Sequence, residues 1–283
     1  MKYSVTTYSF ARSIANGEMT LADCVKKAAD IGFDGIELSP SGYIDDKEIL
    51  GFAEEFGKRA KSFGLEVTNL AIAADFNKDE KGRHDEVERL KRYVDAAALM
   101  GSKLMRHDVF GAGGFFNSFA QGLETVADCV RGVAEYAQGS GVRTMTENHG
   151  FICQDSDRIE ALFNAVGYEN FGLLVDIGNF LCVDEEPSKA VSRLAPHAFY
   201  VHAKDFLYKS GSGEDPGACF FKTRGQNYLR GTVLGHGCVP VKQCINILKA
   251  AGYDGYISLE FEGMEPVDES IRVGLENLKR FSM

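Results

Sequence analysis

The feature that most constrains the fold of this 283-residue chain is a regular alternation of apolar, strand-like runs with helix-like segments. The runs begin near Tyr3, Gly35, Glu66, Lys103, Val142, Phe171, Ala198 and Tyr256. Successive starts lie 27 to 39 residues apart, except for a gap of 58 residues before the last run. A spacing of that size fits one strand and one crossover helix, so the pattern predicts eight parallel β-strands.

The segments between the runs carry the periodicity of amphipathic helices. Apolar residues recur three and four positions apart, for example at Leu123, Val126 and Val130. The phrase Gly-aromatic-Asp-Gly occurs at 32–35 and again at 252–255, each time before a strand-like run. Glycine accepts the left-handed conformation that ends a helix, and Asp-Gly turns the chain into the next strand.

Eight parallel strands with helices between them either close into a barrel or form an open, doubly wound sheet. A dinucleotide-binding open sheet carries a G-x-G-x-x-G turn after its first strand. Here residues 11–14, Ala-Arg-Ser-Ile, follow the first run and contain no glycine. The sequence therefore predicts an α/β fold, a (β/α)8 TIM barrel that forms a single domain over residues 1–283, with residues 206–232 inserted before strand eight.

Charge and composition exclude several classes of protein. Lys and Arg total 31 against 41 Asp and Glu, and the net charge of −10 argues against nucleic-acid binding. No apolar run approaches the roughly 18 residues that a membrane-spanning helix needs. Residues 1–10 lack the pattern of a signal peptide, and the seven cysteines form no CxxC pair. We therefore expect a cytoplasmic protein with reduced thiols and with no nucleic-acid or membrane partner.

Polar and ionisable residues cluster at the carboxyl ends of the predicted strands. In a TIM barrel all these ends meet at one face, where the active site lies. A carboxylate that ends a buried strand is tolerated only beside a partner or a metal ion. The residues at these positions include Tyr8, Glu37, Asn69, Arg106, His107, Glu147, His149, Asp176, His202, Glu260 and Glu262.

The last four strands end in a set of residues that can bind a metal ion: Glu147, Asp176, His202 and Glu260. Three carboxylates and one imidazole favour a hard or borderline divalent cation, with Mn²⁺ first, then Mg²⁺ or Co²⁺, and Zn²⁺ as a further candidate. A cation of charge 2+ would explain how three carboxylates share one pocket. The alternative is that the four residues are separate, salt-bridged strand ends.

The order and spacing of these residues resemble the xylose isomerase-like TIM barrel superfamily, which includes sugar phosphate isomerases and epimerases, ketose 3-epimerases and inosose dehydratases. The resemblance covers nearly the whole chain and implies that Glu147, Asp176, His202 and Glu260 are metal ligands. It also implies that Glu147 and Glu260 flank the substrate and move protons. The motifs that carry it are Glu-x-His-Gly at 147–150, Asp-x-Gly-Asn at 176–179, His-x-Lys-Asp at 202–205 and Gly-x-Gly at 235–237.

Such a site is suited to proton transfer beside a carbonyl group. A metal ion that binds a carbonyl and a neighbouring hydroxyl makes the adjacent C–H acidic enough for a carboxylate to remove. Return of the proton to the next carbon isomerises the substrate, and return to the opposite face epimerises it. We therefore expect a metal-dependent isomerase or epimerase of a small carbohydrate: a sugar, a sugar phosphate or a keto-cyclitol.

Departures from the ketose 3-epimerase pattern keep a lyase as the first alternative. Asn179 stands where those enzymes usually carry His, and Lys204 and Asp205 follow the strand-seven His without the usual Arg. His149 lies two residues beyond Glu147, on the same side of an extended strand, and is a second candidate base. A lyase with His149 as its base would dehydrate an inosose or cleave a keto-glycoside by β-elimination.

Substrate contacts are expected from further strand ends and loops. Each candidate also has an ordinary structural alternative: an ion pair for His107, a buried partner for Glu37 and a turn for His236. The full set of predicted substrate-binding residues is Glu37, His107, Asn179, Lys204 and His236.

The segment 206–232 is rich in glycine and aromatic residues and is expected on the catalytic face. Its Arg224 and Arg230 suit either a phosphate or carboxylate group or a solvated hairpin. Its aromatic residues are compatible with a homo-oligomer. Two further functions stay open. One is an AP-endonuclease-like phosphodiesterase, against which six His and the net charge of −10 argue, and the other is a barrel that binds sugar without turnover.

Overall fold

The computed structural model of the protein describes residues 1–111 and 114–283. The barrel is parallel and closed, because its strands pair in the order β1-β2-β3-β4-β5-β6-β7-β11 and β11 pairs back to β1. The predicted (β/α)8 TIM barrel is therefore confirmed. The strands of the described residues are β1 (Lys2–Thr6), β2 (Gly35–Leu38), β3 (Glu66–Ile72), β4 (Leu104–His107), β5 (Arg143–Glu147), β6 (Phe171–Asp176), β7 (Ala198–Ala203), β8 (Asp205–Lys209), β9 (Phe221–Lys222), β10 (Tyr228–Thr232) and β11 (Tyr256–Leu259).

Helices follow the barrel strands and cover the outside of the barrel. Their ends have the expected chemistry. Asp79 caps the helix Glu80–Met100 by accepting the Gly82 N–H at 2.8 Å, and Gly101 ends this helix with φ of 83°. No helix in the described ranges is long and apolar enough to cross a membrane. The helices are α1 (Ala11–Ala15), α2 (Asp23–Ile31), α3 (Ile49–Ser62), α4 (Glu80–Met100), α5 (Phe119–Gly139), α6 (Ser156–Val166), α7 (Pro187–Leu194), α8 (Val241–Ala250) and α9 (Val267–Phe281).

The apolar core has two parts, a large shell between barrel and helices and a small cluster formed by Met145, Leu174 and Tyr200. Each residue of the small cluster stands two positions before a predicted metal ligand on β5, β6 or β7. Side chains two apart on a strand point to the same side, so this cluster forms the floor beneath the strand ends. The Tyr200 hydroxyl is satisfied by the Thr68 hydroxyl at 2.6 Å.

The segment predicted as an insertion forms a small antiparallel sheet with strand order β8-β10-β9. Phe206 and Phe221 of this sheet line the cavity at the carboxyl ends of the barrel strands. Arg224 is held by the Asp155 carboxylate and the Phe151 carbonyl oxygen, and Arg230 lies 3.6 Å from Glu265. Both arginines therefore have partners within the chain, as expected for structural rather than anion-binding roles.

Candidate functional site

Glu147, Asp176, His202 and Glu260 converge at the carboxyl end of the barrel. One ligand atom from each residue can be chosen so that all four lie within 4.8 Å of one another. His202 Nδ1 lies 3.6 Å from Glu147 Oε1, 3.9 Å from Asp176 Oδ2 and 3.8 Å from Glu260 Oε1. Adjacent parallel strands end at the same level, and this places the side chains of β5, β6, β7 and the residue after β11 together.

Glu37 fixes the orientation of the His202 ring. Its carboxylate oxygens lie 2.8 and 3.0 Å from His202 Nε2, and both side chains are buried. With Nε2 held on one side, Nδ1 faces the three carboxylates on the other. A carboxylate behind a histidine in this way sets the ring for metal binding. Glu37 was predicted as a substrate contact, and although it lines the cavity, His202 engages its carboxylate.

The cluster fits a divalent cation. Within the described part of the chain, His202 Nδ1 and Asp176 Oδ2 are buried and make no hydrogen bond. A buried polar atom without such a partner is costly, and a bound cation would satisfy both atoms at once. The Asp176 carboxylate is already aimed, because its Oδ1 accepts the N–H groups of Gly178 at 2.7 Å and Asn179 at 2.9 Å. One nitrogen and three carboxylate donors suit Mn²⁺, Mg²⁺, Co²⁺ or Zn²⁺.

Lys204 lies within the same group of carboxylates. Its ammonium contacts Glu260, lies 2.5 Å from Glu262 Oε1 and lies 3.3 Å from Asp176 Oδ2. Burial alone would lower the pKa of Lys204, but these carboxylates outweigh it and hold the pKa well above its ordinary value. Lys204 is therefore charged, and it lines the cavity, as a substrate contact must. Its positive charge is already neutralised by the carboxylates around it.

The pKa values of two of the carboxylates, Asp176 and Glu147, are shifted in opposite directions. Burial, reinforced by neighbouring carboxylates, raises the pKa of Asp176 to about 7 despite the nearby Lys204. Burial also favours the neutral form of Glu147, but the Arg106 guanidinium and His202 outweigh it and hold the pKa of Glu147 well below its usual range. Of these two carboxylates, Glu147 is thus the one that stays ionised.

Both carboxylate oxygens of Glu147 are occupied by neighbouring side chains. Arg106 Nη2 lies 2.7 Å from Oε2, and the Asn179 side-chain amide donates to Oε1 at 2.9 Å. Asn179, predicted as a substrate contact, therefore holds a candidate metal ligand. It reaches Glu147 from the short 3₁₀ helix Asn179–Val183 that follows β6.

His149 is positioned by Asp108, a residue that the sequence argument did not single out. His149 Nδ1 lies 2.9 Å from Asp108 Oδ1, and Arg106 Nη2 contacts the same oxygen at 2.6 Å. Burial lowers the pKa of His149, but the hydrogen bond and charge of Asp108 outweigh it and raise the pKa above its ordinary value. The signal for Asp108 was available, since it is a carboxylate placed directly after β4.

His107, which the sequence predicts as a substrate contact, lies away from the cavity. The buried His107 ring packs edge-on against Phe76, and its Nδ1 lies 2.8 Å from the Asp108 carbonyl oxygen. It is not among the residues that line the cavity, whereas its neighbour Arg106 is. Side chains alternate across a strand, so only one of two consecutive residues on β4 can face the barrel interior.

His236, which the sequence also predicts as a substrate contact, lies away from the cavity as well. This residue is exposed and does not line the cavity. The glycine motif around it wraps the buried Asp205 carboxylate, which accepts N–H groups from Gly235 at 2.9 Å, Gly237 at 2.8 Å and Val239 at 3.0 Å. The loop therefore closes on Asp205 and turns the imidazole of His236 outward.

A cavity of about 470 Å³ opens above the cluster. The two permanently charged bases on its wall, Arg106 and Lys204, are both paired with carboxylates. The ring nitrogen Nε2 of His149 has no hydrogen-bond partner among residues 1–111 and 114–283. The site therefore offers one free imidazole nitrogen beside a candidate metal centre. Other lining residues include Tyr8, Phe151, Phe206, Phe221 and Glu262.

The family follows from comparison of the whole chain. The family model described as "Xylose isomerase-like TIM barrel" matches residues 25–281. The chain therefore belongs to the xylose isomerase-like TIM barrel family, as the sequence motifs and the closed barrel predicted.

Individual relatives are distant. An inosose dehydratase of Geobacillus thermodenitrificans (strain NG80-2) is 24% identical over 265 residues, which cover 87% of this chain and 83% of the relative. The probable 3-DHS dehydratase AsbF of Bacillus anthracis shares the fold with a TM-score of 0.77, at 19% identity and 99% coverage of both chains. The IOLI protein, solved with a bound zinc atom, has a TM-score of 0.78 at 16% identity, over 100% of this chain and 98% of its own.

Proposed function

We propose that this protein is a divalent-metal-dependent lyase that removes water from an uncharged keto-sugar or keto-cyclitol, with His149 as the base. The observation that carries the proposal is the pairing of Asp108 with His149 Nδ1 at 2.9 Å, which leaves Nε2 free in the cavity. Two relatives that are named as dehydratases support the same reaction class.

His149 is better suited than the carboxylates to take a proton from carbon. Glu147 has both oxygens engaged by Arg106 and Asn179, and its pKa is held low. Glu260 is paired with Lys204. A carboxylate stabilised by strong partners is a weak base, whereas an imidazole oriented by an aspartate is the arrangement common in general-base catalysis.

Glu147, Asp176, His202 and Glu260 would hold the metal ion. When bound, the ion supplies Lewis-acid polarisation of the substrate carbonyl, which makes the neighbouring C–H acidic. Glu37 keeps His202 in the orientation that presents Nδ1 to the cluster, and Asn179 keeps Glu147 in place. These contacts affect the reaction indirectly, because they fix the positions of the metal-ligand imidazole and carboxylate before a substrate binds.

In the proposed elimination, His149 both removes the proton from carbon and returns it to the leaving group. Nε2 takes the proton from the carbon beside the carbonyl, and the C–H electron pair forms the new C=C bond. The C–O bond of the β-hydroxyl breaks, and the leaving oxygen takes the same proton back from Nε2 and departs as water. The Asp108 carboxylate stabilises the imidazolium that exists between these two transfers.

The charges on the wall favour an uncharged substrate. Arg106 is shared between Asp108 and Glu147, and Lys204 lies among three carboxylates. An anionic group recognised by these bases would have to displace their carboxylate partners. We therefore favour a keto-sugar or keto-cyclitol over a sugar phosphate or a carboxylic acid.

An isomerase or epimerase is the second candidate. The observation in its favour is that Glu147 and Glu260, the two carboxylates expected to move protons in such an enzyme, both line the cavity. Such an enzyme differs from the lyase in its product, since an epimerase or isomerase returns the proton to carbon and releases no water.

One experiment separates these functions. The Mn²⁺-loaded protein is incubated with an inosose in D₂O, and mass spectrometry follows water loss and deuterium uptake. A lyase yields a product lighter by one water. An isomerase or epimerase yields a deuterated isomer of the inosose that has lost no water, and a non-catalytic barrel yields neither product. For the lyase, His149→Asn should lower the rate by about 10²- to 10⁴-fold. The exposed His84 provides the matched control, and His84→Asn should leave the rate unchanged.

A further inference from the structure

A second compartment adjoins the cavity above the metal cluster. It has a volume of about 700 Å³, against about 470 Å³ for the first. Its size lies in the range of pockets that bind small organic ligands. The two compartments share part of their walls, so a ligand can extend from one into the other. The shared residues are Ser41, Ala73, Asp108, His149, Gly150 and Phe151.

The charges of the second compartment disfavour an anionic ligand. Its basic residues in the described part of the chain are Lys78, Arg89 and His149, the last of which is paired with Asp108. Glu86 Oε2 lies 3.4 Å from Lys78 Nζ, and Arg89 Nη2 lies 2.8 Å from Glu86 Oε1. Two further carboxylates, Asp46 and Asp75, belong to the same wall. Carboxylates thus outnumber bases in this wall, and the bases already have carboxylate partners. An uncharged hydroxylated group therefore meets no electrostatic penalty there.

Phe151 stands where the two compartments meet. Its side chain is 44% exposed although it is a large apolar group, and it contributes to both walls. Its φ is 64°, a left-handed conformation that is costly for a bulky residue. The conformation is secured at both ends, because the Phe151 N–H donates to Gln154 Oε1 at 2.7 Å and Arg224 donates to the Phe151 carbonyl. Strain held in this way is typical of ligand-positioning residues.

We propose that the second compartment binds an uncharged second ring of the substrate, and that Phe151 is the platform against which this ring packs. The reacting ring then lies in the first compartment beside His149, so this inference rests on the proposed function for the position of the reacting ring. The aromatic face of Phe151 offers an apolar surface to the C–H groups of a sugar or other ring. The substrate class is therefore a two-ring molecule, such as a disaccharide that carries a ketone on one ring.

Binding measurements test the proposed contact with a second ring, and they do not require that the substrate is turned over. The probes are a glucose disaccharide whose non-reducing ring is oxidised to a ketone at C4, which leaves the C2 hydroxyl β to the ketone, and the methyl glycoside of that same oxidised ring. Their dissociation constants for the Mn²⁺-loaded protein are measured by calorimetry with short exposure at low temperature. We expect the disaccharide to bind the wild type at least tenfold more tightly than the methyl glycoside.

Two variants locate the effect. Phe151→Ala removes the platform, and Ile44→Trp fills the second compartment from a residue that lines only that space. Each should bring the ratio of the two dissociation constants close to one. In Ile44→Trp, whose substituted residue lies outside the first compartment, the affinity for the methyl glycoside should stay within about twofold of the wild-type value. Phe63→Ala is the control, because Phe63 is 40% exposed and lies outside both compartments.

Equal affinity of the wild type for both probes, or failure to bind the disaccharide, overturns the proposal. An equal loss of affinity for both probes in Phe151→Ala or Ile44→Trp overturns it as well. Failure of the proposed function has a different signature, since the disaccharide would then bind preferentially without losing water or exchanging deuterium. Conversely, elimination from single-ring ketones without preference for the disaccharide would keep the function and refute the second ring.

Discussion

His149 and Asp108 are joined by a hydrogen bond of 2.9 Å between Nδ1 and Oδ1, which links the ends of two neighbouring barrel strands. Arg106 bridges the same aspartate to Glu147, at 2.6 and 2.7 Å. One guanidinium thus contacts both a candidate metal ligand and the aspartate that orients the candidate base. A rigid arrangement of this kind fixes the base relative to the bound substrate before the reaction begins.

The first prediction concerns Asp108, the positioning residue of the base. Asp108→Asn should lower kcat for water loss by about 10- to 10³-fold, because the amide no longer stabilises the imidazolium and permits the wrong tautomer. KM and metal content should change little. Initial rates measure the effect, and ¹⁵N NMR of the histidine ring reports the tautomer. The exposed Asp30 supplies the control Asp30→Asn. An unchanged kcat would remove Asp108 from the mechanism.

The second prediction concerns the metal. Elemental mass spectrometry of the native protein should find about one equivalent of Mn, Co, Mg or Zn. Asp176→Asn should lose it, because the substitution removes one of the three carboxylate donors of the four-residue cluster. Asp30→Asn should keep it. A native protein that stays metal-free after incubation with Mn²⁺ would contradict the four-ligand site.

The third prediction is a pH dependence of stability at Glu86. Burial favours the neutral form, but the Arg89 guanidinium and the Asp75 N–H outweigh it and lower the pKa of Glu86. Its contribution is therefore fully present above the unfolded-state pKa of about 4.3 and is lost as the pH falls towards the lower folded-state pKa. Glu86→Gln should cost about 2 kcal/mol in the free energy of unfolding at pH 7.

Urea unfolding at pH 7 and at decreasing pH checks this prediction. The difference in unfolding free energy between wild type and Glu86→Gln should shrink as the solution becomes more acidic. The exposed Glu124 serves as the control, and Glu124→Gln should give a small, constant difference. A difference that stays constant at acid pH for Glu86→Gln would contradict the ionic role of this carboxylate.

The fourth prediction tests the loop that encloses Asp205. A Cβ on Gly237 would lie 2.2 Å from Asp205 Oδ1 and 2.4 Å from the Phe206 carbonyl oxygen. Gly237→Ala should therefore lower the free energy of unfolding by about 2 kcal/mol or more, since neither contact can relax cheaply. Gly132 lies in α5 with open space around it, and Gly132→Ala should stabilise by up to about 1 kcal/mol. Equal thermal midpoints for the two variants would refute the close packing.

The sequence was sufficient for the barrel and for the convergence of the candidate ligands. Strand and helix periodicity define eight βα units, and the carboxyl ends of parallel strands meet at one face whatever the details of packing. The side chains of Glu147, Asp176, His202 and Glu260 therefore had to lie near one another once the barrel closed. Their spacing motifs also identified the family whose model matches residues 25–281.

The roles of Glu37, Asn179 and Asp108 depended on contacts between residues far apart in the chain. Glu37 lies 165 residues before His202, and no local pattern reports that its carboxylate meets that imidazole. Asp108 and His149 are 41 residues apart and approach each other only because β4 and β5 are neighbours. Each of these pairings required the side-chain directions of two elements at once.

By itself, the sequence determined which strands end in ionisable residues, because hydrophobic periodicity and strand-end chemistry are local properties of the chain. The tertiary structure decided which of those residues face the cavity. Arg106 faces it and His107 does not, since the pleat of β4 points consecutive side chains to opposite sides and both residue types are polar. It also decided that His236 turns outward around Asp205 and that Phe151 stands between two compartments, because loop paths are fixed by long-range hydrogen bonds.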